Sequence, residues 1–322
     1  MKFALLFPGQ GSQQPGMGKF LAENFKIAKE TFEEASDTIA FDLKRLCFEG
    51  SVEELALTEN TQPALLTVST ATFRVLNSEF GVQGSVTAGH SIGEYGSLVA
   101  TKALQFKDAV KAVRTRGQAM QSAVPIGQGG MIAALGLTDL EANELCQFVA
   151  KKPELGPLTP ANFNSPGQIV LSGSQKAIDY LRTEVKADQV WATNPPRLKL
   201  IPLQVSAPFH SPMMKPAEEK MRKVLSDIPF HDAAFPVIQN LTARSHQKAT
   251  ELRENLIQQV SAPVRWTQSI ETLKSMGVPD CIELGTGKVL QGLLKKIDSE
   301  FFRVLNTTNI EDLEIIGKLA KN

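Results

Sequence analysis

Residues 89–93 read Gly-His-Ser-Ile-Gly, set between two runs of opposite habit. Ser85-Val86-Thr87-Ala88 precedes them and is strand-like; Glu94-Tyr95-Gly96-Ser97-Leu98-Val99-Ala100 follows and is helix-like. A Gly-x-Ser-x-Gly at a strand-to-helix junction predicts a nucleophile elbow. The glycines matter because so sharp a turn leaves no room for β-carbons. The turn pushes the Ser91 hydroxyl into the open at the end of a sheet. The helix start behind it offers unpaired backbone N–H groups to a developing negative charge. The chemistry implied is acyl transfer through a serine ester. The plain alternative is a glycine-rich βα turn.

The rest of the chain supplies a frame for such a turn. Residues 2–7 form an apolar run ended by Pro8-Gly9, which predicts a buried strand. Helical spacing covers 18–35 and 63–80. The elbow and two helices follow, ending near Ser122, so the pattern to that point is α/β. At Pro125 the texture changes. A strand is expected over 131–137 and a helix over 140–150, capped at Thr138-Asp139. A proline-rich loop spans 153–160. Residues 161–164 and 168–172 flank Ser165-Pro166-Gly167 as a hairpin. A helix over 175–187 and a strand over 198–205 complete β-α-β-β-α-β, the ferredoxin-like split pattern. The expected organisation is a large domain of residues 1–125 and 200–322 with a small ferredoxin-like domain, 126–199, inserted in it. After the insert, helix and strand alternate over 216–225, 234–240, 250–260, 264–276, 280–284 and 289–296.

Charge and composition remove several function classes. Lys+Arg and Asp+Glu are both 34 in 322 residues, a net charge of zero. Nothing argues for nucleic acid, and an anionic substrate needs a local cation. Cys47, Cys146 and Cys281 are odd in number and far apart. They suggest neither disulfides nor a metal site and fit a reducing cytoplasm. No run approaches 18 apolar residues, so no membrane span is expected. No cofactor is implied, and a monomer is expected.

A serine nucleophile needs a base. His90 adjoins Ser91, so its side chain should diverge from the hydroxyl. His231 and His246 lie in polar loops. His210 follows a predicted strand, and active-site groups of open α/β sheets collect at strand carboxyl ends. It is the preferred base. The third triad member is unclear: Asp280 and Glu283 read better as parts of a strand, and a backbone carbonyl can also hold an imidazole N–H. On a helix over 106–120, Arg116 falls in the apolar arc with Ala109, Val110, Val113, Gly117 and Met120, whereas Arg114 falls outside it beside Lys107 and Lys111. An inward guanidinium has a permanent acidic partner, snorkels from the core, or waits for an anionic ligand.

Taken in order, Phe7-Pro8-Gly9-Gln10-Gly11-Ser12-Gln13, the elbow with Glu94-Tyr95, Thr115-Arg116-Gly117, Asn162 to Gln168, Phe209-His210-Ser211, Gln259, Pro263-Val264-Arg265-Trp266 and Glu283 to Leu290 form a set. The set resembles the malonyl-CoA:acyl carrier protein transacylases of bacterial fatty acid synthesis, from Phe3 to about Lys296. The resemblance implies an α/β-hydrolase-like core with a ferredoxin-like insert. It implies Ser91 as acylated nucleophile, His210 as its base, and the Gln259 carbonyl as orienter of His210. It implies Gln10 and the Ile92 N–H as oxyanion hole and Arg116 as the partner of the malonate carboxylate. Malonyl-CoA and acyl carrier protein are the implied partners. Similarity to polyketide synthase acyltransferase domains associates Phe209, and a branched residue such as Ile92, with malonyl selection. The alternatives are a stand-alone polyketide acyltransferase, a serine esterase or thioesterase, and an inactive carrier-binding module.

Overall fold

All five residues of Phe3–Phe7 are buried, which requires a strand covered on both faces. The computed structural model describes residues 2–193, 195–205 and 207–321. In chain order the strands are β1 (Phe3–Phe7), β2 (Gly84–Gly89), β3 (Gly129–Leu135), β4 (Leu158–Ser165), β5 (Gln168–Ser174), β6 (Lys199–Pro202), β7 (Val237–Gln239), β8 (Arg244–His246), β9 (Asp280–Glu283) and β10 (Arg303–Leu305). Six of them form one sheet in the order β10-β9-β1-β2-β7-β8. Its pairings are parallel except β7 with β8.

Alternate residues of β1 feed two cores. Phe3, Leu5 and Phe7 pack with Phe32, Val68 and Val113 from the helices Lys26–Ile39, Thr58–Phe80 and Phe106–Ser122. Ala4 and Leu6 pack on the other face with Trp266, Ile270 and Leu294 from Trp266–Ser275 and Val289–Asp298. A sheet sealed on both faces leaves its strand ends as the place for polar chemistry.

The second sheet is antiparallel, in the order β4-β5-β3-β6. With helices Asp139–Ala150 and Gln175–Thr183 it has its own core around Ile132, Leu145, Leu171 and Ile178. This is the ferredoxin-like arrangement. Thr138 caps its first helix in a reciprocal capping box with Glu141.

Several expected bounds shift. The proline-rich loop over 153–160 lends its last residues to β4. The helix over 175–187 stops at Thr183, and a separate turn, Ala187–Val190, follows. The strand over 198–205 ends at Pro202. The helix that seemed to begin at Pro63 begins at Thr58. Proline cannot donate to the carbonyl four residues back, and Arg114 Nη1 takes that carbonyl, Glu59 O, at 2.8 Å. Arg114 also donates to Asn60 Oδ1 and stacks on Phe41. It is therefore a half-buried tie between two helices, not the solvated residue its helical angle suggested. The tail beyond Lys296 adds β10 and helix Ile310–Lys321, in which Gly317 lies against Phe80.

Candidate active site

Three loops meet at the carboxyl ends of β1, β2 and β7. Ser91 turns the chain from β2 into helix Gly93–Ala100 with φ 52°, a conformation costly for a residue with a β-carbon. A β-carbon on Gly89 would stand 2.0 Å from the Gly93 carbonyl carbon, and one on Gly93 would stand 2.1 Å from the Phe7 carbonyl oxygen. Only glycine closes the turn at these two positions. The N–H groups of Gly93, Glu94 and Tyr95 bond back to the His90, Ser91 and Ile92 carbonyls. The Ile92 N–H stands ahead of that ladder. Gln10, past the end of β1, lines the same cavity, and its Nε2 donates to Thr58 Oγ1 at 3.3 Å.

His210 stands 2.7 Å from Ser91 Oγ through Nε2. Its Nδ1 lies 3.0 Å from Gln259 O and 3.1 Å from Ala262 O. Two carbonyls can only accept, so the proton sits on Nδ1 and Nε2 accepts from the Ser91 hydroxyl. Burial, then the charge of Arg116, lower the His210 pKa to about 3. The imidazole is thus neutral near pH 7, the form a base requires. The Gln259 carbonyl stands where the resemblance put it; the Ala262 carbonyl beside it was not foreseen. Neither Asp280 nor Glu283 approaches the ring. Asp280 pairs with Arg303, and Glu283 accepts from the Leu290 and Gln291 N–H groups at 2.9 and 2.8 Å.

Arg116 is buried at 1 % exposure. Nη1 donates to Gln62 Oε1 at 3.0 Å, and Nη2 to Gln259 Oε1 at 3.0 Å and Ser91 Oγ at 3.3 Å. Among the described residues no carboxylate lies within ion-pairing distance of it, and its Nε has no hydrogen-bond partner. A permanent acidic partner is thereby excluded within the described residues. A desolvated guanidinium held only by neutral oxygens keeps its full charge available to an anionic group.

The cavity in front of these groups measures about 170 Å³. Met131, Asn162, Asn164 and Val170 of the antiparallel sheet form part of its wall, and Phe209 and Met120 form another part. His90 diverges from Ser91, as expected, and its Nε2 meets Asn164 Oδ1 at 2.8 Å across the cleft. The sequence reading missed Gln62, Asn164, Asn240 and Glu94. Asn164 and Glu94 lay inside quoted motifs, but isolated amides at remote positions give no periodic signal.

A mostly parallel α/β sheet with a serine–histidine pair at its strand ends and a buried arginine beside it defines a class of protein: an acyl-transferring serine enzyme. The acyl transferase domain family matches residues 4–322. A Bacillus subtilis (strain 168) protein named malonyl CoA-acyl carrier protein transacylase is 47% identical over 316 residues, covering 98% of this chain and 95% of its own. The Coxiella burnetii transacylase of that name superposes with a TM-score of 0.92 at 37% identity, covering 100% of this chain and 98% of that one. A malonyl-transacylase in complex with its type II polyketide synthase acyl-carrier protein superposes with a TM-score of 0.91 at 38% identity, covering 99% and 100%. The chain belongs to the acyl transferase family, among the malonyl-CoA:acyl carrier protein transacylases.

Proposed function

We propose that this enzyme moves malonyl from malonyl-CoA to the phosphopantetheine thiol of an acyl carrier protein through a malonyl ester on Ser91. The observation that carries the proposal is the buried Arg116, paired with no carboxylate among the described residues and 3.3 Å from Ser91 Oγ. Its fork matches a carboxylate bidentately, so it selects an acyl group that bears one. His210 takes the Ser91 proton as Oγ attacks the thioester carbonyl. The oxyanion forms against the Ile92 N–H and Gln10. Collapse breaks the C–S bond, and His210 returns the proton to the departing coenzyme A thiolate. The second half-reaction runs the same steps backwards with the carrier thiol as nucleophile, giving ping-pong kinetics. No cofactor enters either half. Phe209, on the cavity wall, restricts the room beside the malonyl α-carbon.

The enzyme acts in fatty acid synthesis in the cytoplasm, as a monomer. A polyketide carrier protein is the alternative acceptor, supported by the likeness to the malonyl-transacylase named with such a partner. Among the described residues no helix is long and apolar enough to cross a membrane.

Weighing the protein after incubation with malonyl-CoA, acetyl-CoA and methylmalonyl-CoA tests the reading. One malonyl mass per chain is expected, discharged faster by a carrier-protein thiol than by water. Equal acetyl loading, or discharge to water as fast as to the thiol, sinks it in favour of an esterase. Competition between the two carrier types identifies the pathway.

A pH comparison follows from the charge around His210. Burial and then Arg116 hold its pKa down, with a smaller contribution of the same sign from His90. A malonate carboxylate on Arg116 cancels the second effect, so the His210 pKa rises in the complex. The acid limb of kcat for malonyl transfer is therefore expected at higher pH than that of kcat/KM. For acetyl transfer the two limbs should coincide, since an acetyl group brings no free carboxylate. Glu94, which burial raises to about 7 and Arg116 lowers, moves up together with His210 when malonate covers Arg116, so acetyl transfer is the reference for both groups. Coincident limbs for malonyl would show that its carboxylate does not reach Arg116.

A further inference from the structure

The strained backbone of Ser91 has a brace outside the elbow. Asn240 follows the carboxyl end of β7 and is fully buried. Its carboxamide spans the turn: Oδ1 accepts from the Ser91 N–H at 2.7 Å, and Nδ2 donates to the Gly89 carbonyl at 2.8 Å. A carboxamide used at both ends fixes its own rotation and the separation of the two peptide groups it bridges. Asn240 is in turn held through its backbone. Its N–H donates to a Glu94 carboxylate oxygen, and its carbonyl accepts from the Arg265 N–H at 3.2 Å. Glu94 is also fully buried, three residues beyond Ser91 on the helix the elbow opens. Its other oxygen accepts from Gln239 Nε2 at 3.4 Å. The bonds close a ring from the elbow to β7 and back.

We propose that Asn240, locked by Glu94, is a positioning residue that holds Ser91 in its left-handed conformation and so aims Oγ at His210 Nε2. The inference rests on the reading of Ser91 as nucleophile. Without the carboxamide the Ser91 N–H loses its partner, and the bond from Gln259 Nε2 to the Ser91 carbonyl at 3.0 Å is left as the side-chain hold on φ 52°. Arg116 keeps its bonds to Gln62 Oε1 and Gln259 Oε1 through that change; it meets the brace through its 3.3 Å contact with Ser91 Oγ and through Gln259, whose Nε2 lies 3.5 Å from Asn240 Oδ1. The loss therefore falls on the acylation step and not on substrate recognition, where misplacement by about 1 Å can cost on the order of 10²-fold.

The experiment measures acyl-enzyme formation by rapid quench in Asn240→Ala and Asn240→Asp, with Ser91→Ala alongside, per chain that folds by circular dichroism. Asn240→Asp keeps the size and the acceptor for the Ser91 N–H but turns an acceptor toward the Gly89 carbonyl. Both variants are expected to acylate about 10²-fold more slowly at saturation, with KM within about threefold of wild type and an unchanged malonyl-to-acetyl ratio. A merely structural residue would lower the melting temperature and leave the rate per folded chain unchanged. A folded Asn240 variant that acylates within about threefold of wild type, or that slows only through KM, overturns the proposal. If neither variant folds, Glu94→Gln decides. It keeps the shape and one acceptor, and a slowing of about tenfold with the same pattern is expected; a wild-type rate overturns the lock. Stoichiometric acylation of Ser91→Ala would instead overturn the nucleophile reading itself.

Discussion

Arg116→Ala is expected to collapse the ratio of malonyl to acetyl transfer while Ser91 stays acylatable. The guanidinium is buried, its partners are the neutral oxygens of Gln62, Gln259 and Ser91, and its Nε has no partner among the described residues. A malonate carboxylate entering the variant is left in the same low-dielectric place without a counter-charge. Removing one member of a buried ion pair costs about 3–5 kcal/mol, which is on the order of 10²- to 10⁴-fold in kcat/KM. Acetyl has no carboxylate to strand, so its transfer falls little or rises. The variant also deprives Gln62 and Gln259 of a donor, so Arg116→Lys accompanies it. Lysine keeps the charge but not the fork and should recover part of the ratio. Lys111→Ala, exposed on the same helix, is the control. Arg114→Ala is unsuitable, because Arg114 ties Phe106–Ser122 to the start of Thr58–Phe80. Steady-state kinetics on both thioesters decide the matter. An equal fall for malonyl and acetyl in folded Arg116→Ala would make the arginine structural and remove the physical basis for malonyl selection.

Ser91→Ala should fold and accept no acyl group. The left-handed backbone at Ser91 is held by Asn240 and by Gln259 Nε2, which donates to the Ser91 carbonyl at 3.0 Å. Those bonds use backbone atoms, so alanine keeps them. What is lost is the oxygen 2.7 Å from His210 Nε2. Transfer is expected to drop about 10⁶-fold, the scale seen when a serine is taken from its base. The melting temperature should stay within a few degrees of wild type. Intact-mass measurement after incubation with malonyl-CoA checks the first part and calorimetry the second. Malonyl mass on the variant would place the nucleophile elsewhere.

The elbow was legible because its constraint is local. Two glycines two residues either side of a serine, after a strand and before a helix, leave few other conformations for the chain. Phe3–Phe7, the Thr138 cap and the hairpin around Pro166-Gly167 were legible for the same reason: period, cap chemistry and turn residues act within a few positions. So was the inward face of Arg116, which follows from helical periodicity alone. The order of elements in 126–199 was enough to suggest the ferredoxin-like pattern, since short antiparallel connections admit few topologies.

Contacts between distant segments were not legible. That His210 is oriented by the Gln259 and Ala262 carbonyls, and not by Asp280 or Glu283, depends on where residues 49 and 52 positions away are folded. Residues that bear on a site only through such contacts carry no period or spacing of their own. The same holds for Gln62 under Arg116, for the Arg114 side chain on the carbonyl that Pro63 frees, and for the tail strand β10 at the sheet edge. The sequence alone determined the elbow, its inward arginine and the two-sheet plan, because these follow from backbone sterics and periodicity. The tertiary structure alone decided that Arg116 meets no acid among the described residues and that two backbone carbonyls stand at His210 Nδ1. Both are statements about what stands within about 3 Å of a buried polar atom, and only the folded chain sets those distances.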